Sequence, residues 1–328
     1  GVEALLRLVR ENGHDYLFER KTLLSPPDPR CLVPLLLFAR DTGRQKTYAE
    51  GLLAQMGLER LEIHPGYQLR VQMLGPFRAW RGVQEITPQE WRREKARQLF
   101  QLLLTYRYKM LDRDQIVEML WPRLAPGAAR RDFKVALSTL FRVLEPDRKR
   151  GSPSAYVRRD GSLYGLRPGA DLWLDAAHFE RLIAEGDRVF GHDPDTSLRH
   201  YRQALALYQG EYLQEWPYED WCSDERERLL TLYLRTADRM ARALADRKAW
   251  EETIAVCHAI LSRDDCWEQA YRLMMIADAR MGNRAQAMRT YHRCVERLRE
   301  ELEIEPSAAT VRVYEFILGS DLPDLPLE

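Results

Sequence analysis

The sequence has 328 residues, of which 45% are hydrophobic and 30% charged, and its formal net charge is zero. Its longest apolar run, residues 32–39, is interrupted by Pro34 and falls far short of the roughly 20 residues that span a bilayer, so no membrane segment is predicted. Five cysteines without a CxxC spacing argue against a disulfide framework or a zinc site, and a cytoplasmic protein is therefore expected.

Residues 1–66 are predicted to form a helical connector or the tail of an upstream domain. The helical patterns cover residues 4–11, 32–42 and 48–56. They alternate with turn signals, notably the proline-rich stretch 25–29, and His64-Pro65-Gly66 ends the segment. Because the chain opens at Gly1 on a helical pattern without an initiator methionine, we expect it to be a fragment of a longer protein.

Residues 67–170 hold the positive charge of the chain, with 21 basic and 10 acidic side chains, whereas residues 171–328 carry 20 and 31. A basic block of this size is typical of a nucleic-acid-binding module. It opens with a period of two between Gln68 and Ile86, which predicts a small antiparallel sheet of short strands. Helical patterns then cover residues 91–104, 114–120 and 128–144.

The third of these helices has two chemically different faces. Its apolar stripe consists of Phe133, Leu137, Leu140 and Leu144. The opposite side carries Arg131, Lys134, Ser138 and Arg142, with Arg130 adjacent. A face for the core therefore opposes a cationic face.

A hairpin follows this helix. Segments 155–159 and 162–166 flank Asp160-Gly161, which predicts a type I′ turn. Strands, three helices and a basic terminal hairpin in this order predict a winged helix-turn-helix, in which a helix enters the major groove and the hairpin reaches the adjacent backbone or minor groove. The predicted DNA contacts are Arg130, Arg131, Lys134, Ser138, Arg142, Arg158 and Arg159.

Three further cations, Arg92, Arg93 and Lys95, stand at the start of the first helix. Phosphate contact is one interpretation of them and simple solvation is the alternative. The alternation of a strand also leaves open that Arg158 or Arg159 points toward the sheet.

From Asp171 to residue 320 the pattern is all-helical, and residues 321–328 are expected to be a frayed tail. The predicted helices cover residues 197–208, 225–244, 250–261, 265–281, 284–298 and 308–318. Ile254 and Met288 occupy equivalent places 34 residues apart, which is the period of tetratricopeptide repeats. The predicted fold is therefore mainly α with a small β component: a winged helix followed by tetratricopeptide-like repeats that offer a surface for proteins or ligands.

Several stretches between Gln68 and Leu318 together carry a family resemblance. In the first half they are Leu74-Gly75-Pro76-Phe77, Arg93-Glu94-Lys95-Ala96-Arg97, Leu120-Trp121-Pro122, Phe133-Lys134-Val135-Ala136-Leu137 and Tyr164-Gly165-Leu166. In the second half they are residues 175–179, residues 204–213, Trp221, Glu300-Glu301-Leu302 and Pro306. With them the chain resembles the SARP (antibiotic regulatory protein) family of bacterial transcriptional activators, which join an OmpR-type winged helix to a bacterial transcriptional activator domain.

The resemblance implies roles for particular segments. Helix 128–144 would be the recognition helix, and Asp160-Gly161 would tip the wing. The loop Trp121, Pro122, Arg123 and Leu124, continuing to Gly127, would face RNA polymerase. Binding to direct repeats as a homodimer is implied as well, and residues 1–66 resemble the segment that precedes this module in large MalT-like regulators.

Other side chains leave alternatives open. The aromatic residues Tyr212, Trp216, Tyr218 and Trp221 could line a ligand pocket or plug an irregular core. A metal interpretation of Cys257, His258, Cys266, His292 and Cys294 competes with core and surface roles, and their spacings match no standard site. No metal and no cofactor is therefore predicted.

Catalytic motifs are missing from the sequence: it has no phosphate-binding glycine loop, nucleophile elbow, HExxH or paired-acid motif. We therefore expect a sequence-specific DNA-binding transcriptional activator and not an enzyme. Its expected partners are double-stranded promoter DNA and RNA polymerase, and an effector ligand stays open. The alternative is a tetratricopeptide-like scaffold or ligand sensor whose winged helix does not bind DNA.

Overall fold

The computed structural model describes residues 1–19, 23, 26 and 28–319. It divides the chain into two compact units. The first comprises Gly1–Asp175 together with Tyr212–Glu225, and the second comprises residues 176–211 and the described residues from 226 onward. The tail 321–328, expected to fray, lies outside the described residues.

The first unit begins with short helices that have a hydrophobic core of their own. They are α1 (Val2–Glu11), α2 (Tyr16–Glu19), a 3-10 turn (Pro29–Leu32), α3 (Val33–Asp41) and α4 (Lys46–Gln55). Leu6 and Val9 of α1 lie three residues apart on one face, and both are buried against Leu36 and Leu53. Pro34 is accommodated in the first turn of α3, where a missing backbone N–H costs nothing.

A small sheet follows, in the order β3-β2-β1-β7. Its strands are β1 (Leu69–Gln72), β2 (Arg78–Arg81), β3 (Gln84–Glu85) and β7 (Leu172–Leu174). Leu69 and Val71 of β1 are buried and Arg70 is exposed, as the period of two predicts. Strand β7 was not predicted: the sequence was expected to be all-helical from Asp171, but β7 pairs with β1 in parallel register from Leu69↔Leu172 to Val71↔Leu174.

The helices of the basic block are α5 (Pro88–Trp91), α6 (Glu94–Thr105), α7 (Arg113–Leu120) and α8 (Pro126–Leu144). The first predicted helix, 91–104, is in fact broken, because Arg92 has a positive φ of 54° and Arg93 is extended. Reciprocal capping boxes fix the starts of α5 and α7, through Thr87 with Glu90 and through Asp112 with Gln115.

The predicted hairpin forms from β5 (Val157–Asp160) and β6 (Leu163–Leu166), with β4 (Leu111–Asp112) on the other side of β6. The predicted turn was wrong by one residue and in type. Asp160 pairs with Leu163, so the turn is Gly161-Ser162, and only Gly161 has the positive φ that type I′ requires of both residues. At Gly165 a Cβ atom would lie 2.9 Å from the Lys109 carbonyl oxygen, so only glycine lets β6 lie this close to the backbone that precedes β4.

The stretch Tyr212–Glu225 returns to the first unit and packs on its strands and on α6. Tyr212 bridges Leu74, the Leu213 N–H donates to the Met73 carbonyl at 2.9 Å, and the Tyr212 hydroxyl lies 2.9 Å from Thr105 Oγ1. Trp216 Nε1 donates to Gln101 Oε1 at 2.8 Å. These contacts make the stretch an integral part of the first unit.

The second unit is helical. Its helices are α9 (Asp175–Val189), α10 (Pro194–Leu207), α11 (Ser223–Asp246), α12 (Trp250–Leu261), α13 (Glu268–Arg280), α14 (Arg284–Leu302) and α15 (Ala308–Gly319). The pairs α12/α13 and α14/α15 occupy the stretches in which the 34-residue period was found. Met275, Ala279, Ala287 and Val313 form a core between α13, α14 and α15, as stacked helix pairs require.

A buried carboxylate, Asp171, joins the N-terminal helices to the sheet. Its Oδ2 accepts from Arg30 Nε at 2.5 Å and lies 3.2 Å from His64 Nε2, while its Oδ1 accepts from Gln68 Nε2 at 2.7 Å. Burial opposes ionisation, but the hydrogen bonds from His64 and Gln68 and the charge of Arg30 bring the pKa of Asp171 below its ordinary value. The ionised carboxylate therefore stabilises the fold.

Replacing Asp171 with alanine should lower the free energy of unfolding by about 3 kcal/mol, because His64 and Arg30 would lose their acceptor. Since the pKa is depressed in the folded state, this contribution is present above the ordinary aspartate pKa of about 3.9 and is lost as the pH falls below it. Urea unfolding of wild type and variant between neutral pH and acid measures both effects.

The control is Asp132→Ala at an exposed position, where a change within about 0.5 kcal/mol is expected. Equal losses for the two variants, or a pH dependence that Asp171→Ala leaves unchanged, would contradict the role given to Asp171.

Candidate nucleic-acid interface

Helix α8 is held between a loop and the hairpin by one aromatic side chain. Phe133 is buried, with its ring 6.3 Å from that of Trp121 and 5.1 Å from that of Tyr164, both edge-on. Such edge-to-face pairs stabilise a defined ring geometry. They fix the rotation of α8 about its own axis and hence which residues it exposes.

The exposed side of α8 carries all five of the residues that the sequence predicted for it: Arg130, Arg131, Lys134, Ser138 and Arg142. Arg131, Lys134 and Arg142 form no ion pair with another residue in the part of the chain that the structure describes. Cations without an internal partner remain available for phosphate oxygens or base edges.

Arg130 differs from its neighbours because it already has a partner. Its guanidinium makes two hydrogen bonds to the Asp114 carboxylate, at 3.2 and 2.9 Å. Asp114 also accepts from Arg113 Nε at 3.2 Å, and these two arginines bring the pKa of Asp114 below its ordinary value. Asp114, at the start of α7, thereby orients its neighbour Arg113 and also Arg130 of α8.

A groove of about 280 Å³ runs between α8 and the hairpin. It is lined by Arg113, Phe133, Lys134, Leu137, Ser138, Phe141, Arg159 and Tyr164. The structure thus brings Lys134 and Ser138 of the helix together with Arg159 of the hairpin. Arg113 was not predicted as a site residue, and its only signal in the sequence is its place directly before the predicted helix 114–120.

The two hairpin arginines differ in their surroundings. Arg159 lies over the Tyr164 ring, 5.6 Å from its centroid, and its Nε donates to the Gly161 carbonyl at 3.0 Å. Arg158 pairs with Asp160 at 3.5 Å and does not line the groove. The alternation of the strand therefore separates them, although both side chains are exposed.

The three cations before α6 lie elsewhere in the unit. Arg92 and Arg93 are exposed and line a separate depression with Trp91 and Arg97. Lys95 is half-buried, and its Nζ donates to the Leu120 carbonyl at 2.6 Å and lies 5.7 Å from the centre of the Trp121 ring. Burial lowers the pKa of Lys95, against the opposing charges of Glu219 and Glu94. Lys95 is therefore not grouped with the exposed cations.

The predicted polymerase-contact loop joins α7 to α8. Trp121 is buried beneath α8, whereas Pro122, Arg123 and Leu124 are exposed. The loop borders a cleft of about 1160 Å³ whose other side is formed by residues 218–221. The sequence left open whether its loop aromatic residues line a pocket or fill a core. Tyr212 is fully buried in the core, while Tyr218 and Trp221 line this cleft.

In the described part of the chain, Cys257, His258, Cys266, His292 and Cys294 do not come together as one group of ligand atoms. Cys257 and Cys294 are buried, and burial raises the pKa of each thiol to about 12. Within the described residues, the group of potential metal ligands that lie close together is Asp264, Asp265 and Cys266, a partly exposed acidic turn. No helix in the described part of the chain is long and apolar enough to cross a membrane.

Comparisons with known proteins agree with this architecture. Residues 174–318 match the family model described as "Bacterial transcriptional activator domain". The chain is 25% identical to the regulatory protein AfsR of Streptomyces griseus over 77% of its own length and 25% of that protein, and 26% identical to the regulatory protein DnrI of Streptomyces peucetius over 77% of its own length and 93% of that protein.

Among solved structures, EmbR of Mycobacterium tuberculosis in complex with a low affinity phosphopeptide has a similar fold. Its TM-score is 0.64 at 18% identity, covering 77% of this chain and 66% of that one. A winged-helix region followed by a helical bacterial transcriptional activator domain defines the class of protein. The match to this domain and the similarity to the regulatory proteins AfsR and DnrI support the resemblance that the sequence carries. The chain spans about a quarter of the length of AfsR.

The half-buried position of Lys95 predicts that its removal lowers stability more than removal of the exposed Arg93. Lys95→Ala should lower the free energy of unfolding by about 1 kcal/mol, because the Leu120 carbonyl loses its ammonium donor and the Trp121 ring loses its cation. Urea denaturation measures it. The matched variant Arg93→Ala removes an exposed cation and should unfold within about 0.5 kcal/mol of wild type. If Lys95→Ala kept wild-type stability, its internal role would be refuted.

Proposed function

We propose that this protein is a sequence-specific DNA-binding transcriptional activator that binds promoter DNA through its winged helix. The observation that supports this most is the groove where Lys134 and Ser138 of α8 meet Arg159 of the hairpin. A helix and an adjacent hairpin with exposed cations match the two elements with which winged helices contact a duplex.

The side chains of this interface divide by their present partners. Arg131, Lys134 and Ser138 have the freedom to reach base edges, where a good bidentate contact discriminates by about 1 to 3 kcal/mol. Arg130 and Arg113 are held by Asp114, and Arg158 and Arg159 by the hairpin itself. Such preoriented guanidinium groups suit phosphate oxygens, which fix the register without reading sequence.

We further propose that the exposed loop Pro122, Arg123 and Leu124 contacts RNA polymerase, with Trp121 anchoring it in the core. We also propose that the winged helix is of the OmpR type and that the protein binds direct repeats as a homodimer in the cytoplasm. An effector ligand belongs to the same proposal. So does a longer, MalT-like regulator of which this chain would be a part, since AfsR is about four times as long as the matched region.

Salt dependence tests the proposal that the winged helix binds DNA. Duplexes selected from a randomised pool by the purified protein serve as probes, and affinity is measured between 50 and 200 mM salt. Six to ten phosphate contacts predict a loss on the order of a thousandfold or more over this range. A flat response, or no selected sequence, would contradict DNA binding and favour the scaffold alternative.

Replacing Arg131 and Lys134 together with alanine should lower affinity for the selected duplex by at least about thirtyfold, since two contacts of about 1 to 3 kcal/mol each are lost. The matched control is Arg235→Ala with Arg312→Ala, which removes the same charge from exposed positions of the second unit. Fluorescence anisotropy measures both. Unchanged affinity of the α8 variant, with its folding intact, would refute the assignment of α8 as the recognition helix.

A further inference from the structure

The cleft beside the polymerase-contact loop has two walls from distant parts of the sequence. One wall is the end of α7 with the loop, from Glu118 to Leu124, and the other is residues 218–221 of the returning stretch. Its volume, about 1160 Å³, exceeds the roughly 300 to 1000 Å³ of most small-molecule sites. A cleft of this size suits a peptide segment better than a small ligand.

The charges that line the cleft are mainly negative. Its carboxylates are Glu118, Asp132, Glu219 and Asp220, and its cations are Lys95 and Arg123. Lys95 is already committed to the Leu120 carbonyl and the Trp121 ring. This internal ammonium on an aromatic face shows that the wall accommodates a cation. The surplus of carboxylates disfavours phosphate and favours a basic partner.

Apolar side chains are exposed on both sides of the cleft. Tyr218 is 95% exposed on one wall and Leu124 is 45% exposed on the other, while Trp121 and Trp221 are almost fully buried beneath them. Burial of a large exposed apolar side chain by a partner is favourable, because it removes apolar surface from water. A basic segment with one apolar or aromatic anchor would satisfy both the carboxylates and these side chains.

We propose that this cleft binds a basic segment of a partner protein, with Lys or Arg side chains on Glu118 and Asp220 and an apolar anchor between Leu124 and Tyr218. The inference rests on the proposed polymerase contact for the source of the segment. It adds residues 218–221 as a second wall of that contact and specifies the chemistry of what docks there.

The test probes the full chain with an array of overlapping peptides that covers the subunits of a bacterial RNA polymerase. Bound peptides should be rich in Lys and Arg and contain an apolar anchor. The double variant Glu118→Lys with Asp220→Lys should lose at least about tenfold in affinity for them, because charge reversal replaces attraction by repulsion. The control, Glu11→Lys with Glu59→Lys, makes the same change in net charge at exposed positions outside the cleft and should bind as wild type.

Tyr218→Ala, which keeps every charge, should also weaken these peptides. Retained binding by both cleft variants, or equal loss in the control, would overturn the proposal, as would an array without basic peptides. Affinity for the selected duplex separates this outcome from failure of the proposed function. The cleft variants should bind DNA as wild type does, and the Arg131 and Lys134 double variant should bind the peptides as wild type does.

Discussion

The buried carboxylate of Asp171 is the interaction on which the arrangement of the first unit depends. Its donors come from the N-terminal helices (Arg30), the linker (His64) and the entry to β1 (Gln68), and its own backbone carbonyl accepts from the Leu69 N–H at 3.0 Å. An ionised group this deeply buried is tolerated only when all its acceptor positions are occupied. The neighbouring Tyr67 carries the constraint onward, because its hydroxyl donates to the Leu144 carbonyl at 2.7 Å. The C-terminal end of α8 is therefore held by Tyr67, which directly precedes Gln68 in the chain.

Residues 67–170 contain more basic side chains than are available to contact a ligand such as the proposed DNA. Several of these cations already have a partner within the chain. Arg107 and Arg81 are largely buried in ion pairs with Glu225 and Glu90, while at the surface Arg78 pairs with Glu85 and Arg70 lies over the rings of Trp80 and Trp173. Each pairing neutralises a charge or covers an aromatic face, so it stabilises the fold and leaves little for a ligand. Exposed cations without an ion pair to another described residue include Arg131, Lys134 and Arg142 of α8 and Arg92 and Arg93 before α6. The distribution of charge along the sequence indicates the basic segment. Exposure and existing partners then determine which of its cations can contact a ligand.

The sequence predicted the helices and the first strands because apolar residues recur there with a clear period. Phe133 and Leu140 were predicted to be buried because they lie on an apolar helical stripe. The cations of α8 were predicted to be exposed because they lie on the opposite side of the same helix. The sequence could not predict β7, since three residues carry no period and the partner strand lies about a hundred residues away along the chain. Nor could it show that Lys95 turns inward, because the Leu120 carbonyl that receives it becomes a neighbour only when α6 and α7 pack. The break at Arg92 escaped for a related reason: a non-glycine residue at positive φ has no signal in the sequence.

Helix α8 has a separate role on each of its sides. Residues two apart in an α-helix point about 200° apart, so Asp132 and Lys134 lie on nearly opposite sides of the 19-residue helix. Lys134 lines the groove with Arg159, and Asp132 lines the acidic cleft. One rigid element thus carries a cation toward the proposed duplex and a carboxylate toward the proposed partner. A carboxylate on the Asp132 side repels phosphate, so the proposed duplex would bind on the side where the hairpin lies. Whatever fixes α8, through Phe133 at its centre and Tyr67 at its end, therefore fixes the orientation of both surfaces at once.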